Sequence, residues 1–186
     1  PVLYASSSAV YGNLQIGDDT SIDCDILTPY ALDKLTLESY AKLSNNLYSV
    51  PSIGFRFFNV YGPYQDPSNP YSGVISLFLS QSLKCEELKV FGGNQTRDFI
   101  HVYDLVEGII RAAVLGKAGK IYNISGGKEV KVNKIAKLIG GKTISIPKRP
   151  GEPDRSLADI KKIKKDLQWK PKISIETGIS KLLSNI

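Results

Sequence analysis

Val2-Leu-Tyr-Ala-Ser-Ser-Ser-Ala-Val-Tyr-Gly12, Thr28-Pro-Tyr-Ala-Leu-Asp-Lys34 and Ile53-Gly-Phe-Arg-Phe-Phe58 follow one another in the first third of the chain. The first stretch opens on an apolar run, residues 2–5, that reads as a strand and ends in three serines. In the second, Thr28 takes the N-cap and Pro29 the first helical position, and the helical pattern continues to about residue 46. The third, residues 53–58, reads as a second apolar strand. A strand, a helix and a strand in succession form a βαβ unit, whose two strands lie parallel in one sheet.

The same alternation continues outward. Residues 73–84, 103–115, 132–139, 160–167 and 175–183 carry helical periodicity, and 88–91, 120–124 and 142–146 are short apolar runs. Helices of 10–15 residues between such runs indicate an α/β fold with a parallel sheet. Loops rich in Pro, Ser, Asn and Tyr near 62–73, and an irregular stretch at 147–156, read as binding loops or lobe connections because periodic sequence resumes at once.

Composition narrows the field. The chain has 186 residues, 42% hydrophobic and 23% charged, with mean hydropathy −0.11. This suits one domain or a domain plus a small lobe, at roughly 100–200 residues per domain. Disorder, coiled coil and collagen are excluded. No apolar run nears the roughly 20 residues that span a bilayer, so neither membrane insertion nor a membrane partner is expected. Cys24 and Cys85 are lone thiols and His101 is the single histidine. These cannot supply a structural zinc site, and a reducing cytoplasm is the expected setting. The net charge of +6 is uneven: residues 128–186 carry 15 basic and 6 acidic side chains, or +9. A basic end suits an anionic partner, either a phosphorylated small molecule or nucleic acid.

Tyr30 and Lys34 stand one helical turn apart and share a face. An ammonium that near favours the ionised phenol, which makes it a usable base around neutral pH. With ten tyrosines in the chain, a single Tyr-x-x-x-Lys is expected about once by chance, so the spacing alone decides nothing. Ser6, Ser7 and Ser8 add weight. They lie at the carboxyl end of the first strand, where doubly wound sheets bind ligands; isolated, they would read equally as a polar turn.

Tyr4-Ala-Ser-Ser-Ser-Ala-Val-Tyr-Gly12, Pro29-Tyr-Ala-Leu-Asp-Lys34 and Arg56-Phe-Phe-Asn-Val-Tyr-Gly-Pro63 together resemble the extended short-chain dehydrogenase/reductase family. Within it they are most similar to the nucleotide-sugar epimerases of the UDP-glucose 4-epimerase type. Thr96-Arg-Asp-Phe-Ile-His-Val-Tyr-Asp104, Arg149-Pro-Gly-Glu152 and Ala158-Asp159 continue the resemblance in collinear order to the end of the chain. None of the 16 glycines forms the GxxGxxG turn that holds the NAD pyrophosphate in that family. Gly12 and Gly17 have the spacing of a P-loop, but Asp18 and Asp19 follow where phosphate would sit. The chain is also without methionine. The resemblance is therefore to the later portion of a complete enzyme, short of on the order of a hundred leading residues.

The fold implied is the C-terminal part of a Rossmann-like doubly wound parallel sheet with a small α/β substrate-binding lobe. Residues 1–61 and 95–125 would belong to the NAD-binding domain, and 62–94 and 126–186 to the lobe. Residue by residue, the resemblance makes Tyr30 the catalytic base and Lys34 the lysine on the nicotinamide ribose, with Ser7 or its neighbour Ser8 as the active-site hydroxyl. Ser6, Phe57 and Phe58 join Tyr30 and Lys34 against NAD. Asn59 would contact the substrate diphosphate, Val74 and Phe91 the nucleotide, Arg97 and Arg149 phosphate, and Glu152 ribose. Ser156 would leave room in the sugar pocket for a 2-acetamido group. Each has a plainer reading. Phe57, Phe58 and Val74 suit core packing, Arg97 could pair with Asp98, and Arg149 could be a solvated loop charge. Lys161, Lys162, Lys164 and Lys165 read as a solvated face around buried Ile160, Ile163 and Leu167.

Where dehydratases of the family carry Thr-Asp-Glu, this chain has Ser7, Ser8 and Ala9, so no carboxyl is placed to expel a hydroxyl. The resemblance thus implies NAD-dependent 4-epimerisation of a UDP-sugar through a 4-keto intermediate, in a cytoplasmic homodimer. Two alternatives remain: a truncated nucleotide-sugar-binding or dimerising fragment without turnover, and a dehydratase or reductase of the same family. Nucleic-acid binding rests on the basic tail alone and is not expected.

Overall fold

The βαβ unit read at the amino end forms as the sequence dictates. The structure, a computed structural model, describes residues 1–69, 71–148 and 152–184. Strand β1 (Val2–Ser7) leads through a 3-10 turn at Ser8–Tyr11 and a loop to helix α1 (Pro29–Tyr48), and strand β2 (Ser52–Phe57) returns beside β1. Thr28 caps α1 as expected: its side chain accepts from Ala31 N at 3.1 Å. The two strands are parallel, with Val2 opposite Ser52 and Ser7 opposite Phe57. Strand β6 (Ile121–Ile124) joins the other edge of β2, also parallel, giving a sheet of order β1-β2-β6.

Two smaller sheets complete the layer structure. Strands β3 (Asn59–Tyr61) and β5 (Thr96–His101) pair in parallel, and β7 (Glu129–Lys131) adds antiparallel to β5. Strands β4 (Leu88–Phe91) and β8 (Thr143–Ile146) form a parallel pair. Helices α2 (Val74–Leu83), α3 (Val102–Leu115), α4 (Val132–Ile139), α5 (Lys161–Leu167) and α6 (Ile175–Ser184) cover them. The mixed α/β architecture with parallel pairing agrees with the fold read from sequence. Strands β3, β5 and β7 were not foreseen, and the expected strand at 53–58 breaks at Phe58, after which the chain enters a different sheet.

Apolar side chains gather in two cores. One unites Ile53 and Phe55 of β2 with Leu105 and Ala112 of α3, Ile163 and Leu167 of α5, and Trp169. Segment 158–169 thus packs on the three-stranded sheet, although the sequence reading grouped it with the lobe. The other core joins Phe78 of α2, Leu88 and Val90 of β4, Ile135 of α4 and Ile179 of α6. No helix among the described residues is long and apolar enough to cross a membrane.

Two buried charges organise these layers. Arg56, next to last in β2 and 6% exposed, donates from Nε and Nη2 to the two Glu38 oxygens at 2.9 and 2.7 Å. Its Nη1 donates to the Tyr11 hydroxyl at 2.9 Å, which in turn donates to Asn123 Oδ1 at 2.7 Å. The Ser6 hydroxyl completes the cluster on Glu38 Oε1 at 2.5 Å. The second charge is Asp98 of β5, fully buried. Its Oδ2 accepts from Gly127 N and Ala158 N, both at 3.1 Å, while its own carbonyl accepts from Asn59 Nδ2 at 3.2 Å. Oδ1 has no partner among the described residues. Burial pushes the Asp98 carboxyl up from 3.8 to about 6, against the lowering effect of its hydrogen bonds.

Both arrangements set testable expectations. Glu38→Ala leaves a guanidinium buried and uncompensated and should lower unfolding free energy by about 3–5 kcal/mol in urea denaturation, whereas replacing both partners with well-packed apolar residues should be far milder. For Asp98 the folded carboxyl titrates above its unfolded value, so its contribution is fully present below about pH 4 and is lost as pH rises through about 6. Asp98→Asn removes that titration. The stability of the natural protein relative to the variant should therefore fall by on the order of 2–3 kcal/mol between those pH values. A difference that stays flat across the range would contradict the assignment.

Candidate functional site

The carboxyl ends of β1 and β2 open onto two adjoining cavities. The larger, about 440 Å3, lies between Asn59 at the start of β3, the amino end of α2 at Gly73 and Val74, Phe91 at the end of β4, and Arg97 and Glu152. The smaller, about 200 Å3, is bounded by Ser7, Ser8, Thr28, Phe58, Arg155 and Ser156. Asn59 and Arg97 line both. An amide and a guanidinium are thus common to both walls.

Arg97 is buried and positioned from three sides. Its Nη1 donates to Thr96 O at 2.8 Å and to Pro153 O at 2.9 Å, and Nη2 contacts Glu152 Oε1 at 3.0 Å. It does not pair with Asp98, which bonds backbone amides instead. Glu152 Oε2 is buried without a partner among the described residues. The segment carrying Glu152 and Ser156 is itself fixed to the sheet: Asp154 O accepts from Thr96 N at 2.9 Å, Leu157 O accepts from Gly17 N at 2.8 Å, and Ala158 is held by Asp98. Helix α2 begins at Gly73 with no side-chain cap. Gly73 and Val74 line the larger cavity, so the uncapped amino end of the helix lies at its wall, where the helix dipole favours an anion.

The structure gathers most residues singled out by sequence. Asn59, Val74, Phe91, Arg97 and Glu152 meet around the larger cavity, and Ser7, Ser8, Phe58 and Ser156 around the smaller one. Ser7 also caps the 3-10 turn, accepting from Ala9 N at 3.1 Å, which aims the serine turn. Tyr30 is 54% exposed and, with Lys34, lies outside the lining of both cavities, one turn beyond Thr28. Lys34 donates to Ala5 O at 2.9 Å, and its ammonium lies 5.6 Å from the centre of the Tyr30 ring. That anchor ties the helix to the end of β1 and leaves two further N–H bonds beside an exposed phenol. Ser6 is turned inward to Glu38, and Phe57 packs on Phe55 at 6.2 Å between ring centres. Arg149 lies outside the described residues.

Several contributors escaped the sequence reading. Arg155 enters the smaller cavity while chelated by Glu129 at 2.5 and 2.8 Å, and Gln95 enters the larger one with its amide nitrogen on Phe91 O at 2.6 Å. Asp98 was noticed only as a possible partner for Arg97. Its signal is an acid immediately before the apolar pair Phe99-Ile100, masked by the adjacent arginine. The lysine face at 161–165 also needs correction. Lys162 turns inward, donating to Asp19 O and Ile121 O at 2.7 Å each.

Known proteins share both sequence and fold with this chain. The sequence profile of the NAD dependent epimerase/dehydratase family matches residues 1–125. A putative UDP-glucose 4-epimerase from Methanocaldococcus jannaschii is 38% identical over 192 residues, covering 98% of this chain and 62% of the relative. Among solved structures, UDP-glucose 4-epimerase from Thermotoga maritima with UDP-glucose superposes with TM-score 0.88 at 30% identity, covering 95% of this chain and 60% of that one. UDP-N-acetylglucosamine 4-epimerase from Methanobrevibacter ruminantium, in complex with UDP-N-acetylmuramic acid, gives TM-score 0.88 at 30% identity, covering all of this chain and 63% of that one. The chain thus spans about three fifths of the length of the relatives it matches. With its fold and its collinear motifs, it belongs to the NAD-dependent epimerase/dehydratase family.

Proposed function

We propose that this chain binds a UDP-sugar across the two cavities and supplies the acid–base residues for its NAD-dependent 4-epimerisation. The observation that carries the reading is the junction: one amide and one buried arginine shared by a larger cavity with an aromatic wall and a smaller cavity lined by hydroxyls. A nucleotide diphosphate sugar has that division, a base and ribose on one side of the diphosphate and a sugar on the other. Arg97 suits the diphosphate because its planar fork makes charge-assisted, directional bonds, and the open amino end of α2 adds backbone donors. Phe91 offers a ring face to the base and Glu152 an acceptor to ribose hydroxyls. Arg149 is proposed as a second phosphate contact from sequence alone.

In the reaction, Tyr30 takes the proton of the sugar 4-hydroxyl and Ser7 or Ser8 hydrogen-bonds the same oxygen. Lys34 stabilises the charge on Tyr30 and, with its free N–H bonds, suits the hydroxyls of a nicotinamide ribose. Phe58 and Phe57 would flank the nicotinamide, whereas the Ser6 hydroxyl, spent on Glu38, leaves only its backbone to the cofactor. NAD supplies the hydride acceptor and donor at carbon 4. Tyr30 would also return that proton to the oxygen at carbon 4 to complete the cycle. Absence of a carboxyl at Ser8 and Ala9 supports epimerisation over dehydration. The serine at 156 leaves the sugar cavity wide enough for a 2-acetamido group. The apolar outer face of α1, with Leu32, Tyr40, Leu43 and Leu47 exposed, supports a homodimer through that helix.

Incubating the chain with NAD and UDP-galactose and following UDP-glucose tests the reading. Turnover should fall by about two orders of magnitude or more in Tyr30→Phe with UDP affinity within about twofold of the natural protein. Calorimetry should show UDP binding weakened by about 10- to 100-fold in Arg97→Ala, the loss of charge-assisted bonds. UDP binding without any turnover would favour the reading as a nucleotide-sugar-binding fragment. Ser156→Tyr should abolish acceptance of UDP-N-acetylglucosamine while sparing UDP-galactose; equal behaviour of both forms would remove Ser156 from the specificity role.

A further inference from the structure

A cavity of about 680 Å3 lies outside the site just described, between α1, the 19–24 loop, the start of β6 and Lys162 of α5. Its floor is built from the buried face of the sheet. Tyr4 of β1 leans across β2 at Gly54, where a Cβ would come within 2.5 Å of the ring. The missing side chain at Gly54 makes room for the hydroxyl end of the Tyr4 ring, which lines the cavity. Arg56 and Glu38 lie beside it as a closed ion pair. Burial, with a further contribution from Glu38, pushes the Tyr4 phenol up to about 12, so its hydroxyl is a donor.

The charges around this floor do not balance. Arg56, Lys42, Lys120 and Lys162 face Glu38 and Asp19, four cations against two carboxylates. Glu38 is consumed by Arg56, and Asp19 is buried with its carboxyl accepting from Asn123 N at 2.6 Å. Lys42 and Lys120 have no ion-pair partner among the described residues. Lys162 spends two N–H bonds on Asp19 O and Ile121 O, which fixes the ammonium at the cavity wall and leaves a third. Burial pushes the Lys162 ammonium down, opposed by the carboxylates of Asp19 and Asp166 and reinforced by the like charges of Lys120 and Arg56. A wall with surplus positive charge in a confined space draws a small anion. Ile22, 96% exposed, adds an apolar side chain to the lining.

We propose that this cavity is a second ligand site, for a small phosphorylated molecule bearing a planar ring. The phosphate would lie on Lys120 and the free N–H of Lys162, and the ring on Tyr4 and Ile22. An aromatic platform next to fixed ammonium groups supplies both halves of that recognition. The site is separated from the candidate active site by the sheet residues Arg56 and Asn123, whose network includes Tyr11 of the smaller cavity. Occupancy could thus be felt at the serine turn through that chain of bonds.

Phenyl phosphate is a probe of this chemistry, titrated into the 186-residue chain by calorimetry with UDP already saturating the other cavities. Saturable binding is expected, with chemical-shift changes at Gly119, Lys120 and Ile121 in a parallel nuclear magnetic resonance titration. Lys120→Glu should weaken it by about tenfold, Lys120→Arg should restore most of it, and UDP affinity should be unchanged in both. Tyr4→Leu should lower phenyl phosphate binding toward that of inorganic phosphate. The proposal is overturned if UDP displaces the probe, if Lys120→Glu leaves its affinity unaltered, or if no binding is seen up to about 10 mM.

Discussion

A guanidinium within a buried strand must be paired, and the pairing of Arg56 with Glu38 sets the positions of the elements around it. Taking both ions from water is costly, so the arrangement persists only because the hydrogen bonds are nearly saturated. Glu38 receives Arg56 twice and Ser6 once, and the remaining reach of Arg56 is to Tyr11. These contacts bind α1, β1, β2 and the serine turn to one point. Through Tyr11 the network reaches Asn123, whose amide nitrogen donates to Gly17 O and Asp159 O. The loop after the serine turn and the segment that ends at Asp159 are thereby referred to the same charge. Helix α1 buries only Ala31 and Glu38 among its 20 residues, so its attachment to the sheet relies on polar bonds more than on an apolar stripe. Tyr30 and Lys34, eight and four residues before Glu38, inherit their placement from this anchor.

Asp98 performs the corresponding task on the other side of the cavities. Its side chain gathers the 126–127 turn and Ala158, and its carbonyl orients Asn59, while Arg97 beside it reaches the cavities. Alternation along β5 sends the two side chains to opposite faces. One face ties segments together and the other presents a donor to ligand. A buried acid is tolerated at this position because the groups it bonds are backbone amides, which have few other acceptors available in the interior. The unpaired second oxygen is the residual cost, and it is expressed in the upward shift of the carboxyl.

These two buried charges also explain which parts of the structure could be read from sequence. Apolar runs and the Thr28-Pro29 helix start report local preferences, and the βαβ unit, α1, α3 and α4 followed from them. Strand β5 did not, because Thr96, Arg97, Asp98 and His101 interrupt the apolar pattern in a strand whose last five residues are all buried. Strands β3 and β7, of three residues each, are too short to carry a period. Glu38 and Lys162 each occupy a helix surface that periodicity assigns to solvent, yet both are turned inward by partners 18 to 143 residues away in the chain. Long-range pairing of this kind leaves no local trace. The residues around the two cavities were legible for another reason: Asn59 and Arg97 sit in motifs whose collinear order resembles a known family, and the same resemblance assigns Phe91 and Ser156 between and after them. Gln95 and Arg155 lie beside those motifs but outside the matched positions, and only their convergence in space reveals them.

The internal pairing of Arg97 bears directly on how the site can act. Three of its five N–H bonds go to Thr96 O, Pro153 O and Glu152, so the guanidinium plane is fixed by the protein and does not await ligand. A lysine could not be held this way, since a single ammonium lacks the planar fork. Two N–H bonds remain for an incoming phosphate oxygen, and Glu152 keeps one oxygen without a partner among the described residues. A diphosphate would add to the first and a ribose hydroxyl would satisfy the second, without breaking the ion pair between them. Such a ligand therefore bridges an arrangement already formed. Its binding energy can go into orienting the sugar beneath the serine turn instead of reorganising the pocket.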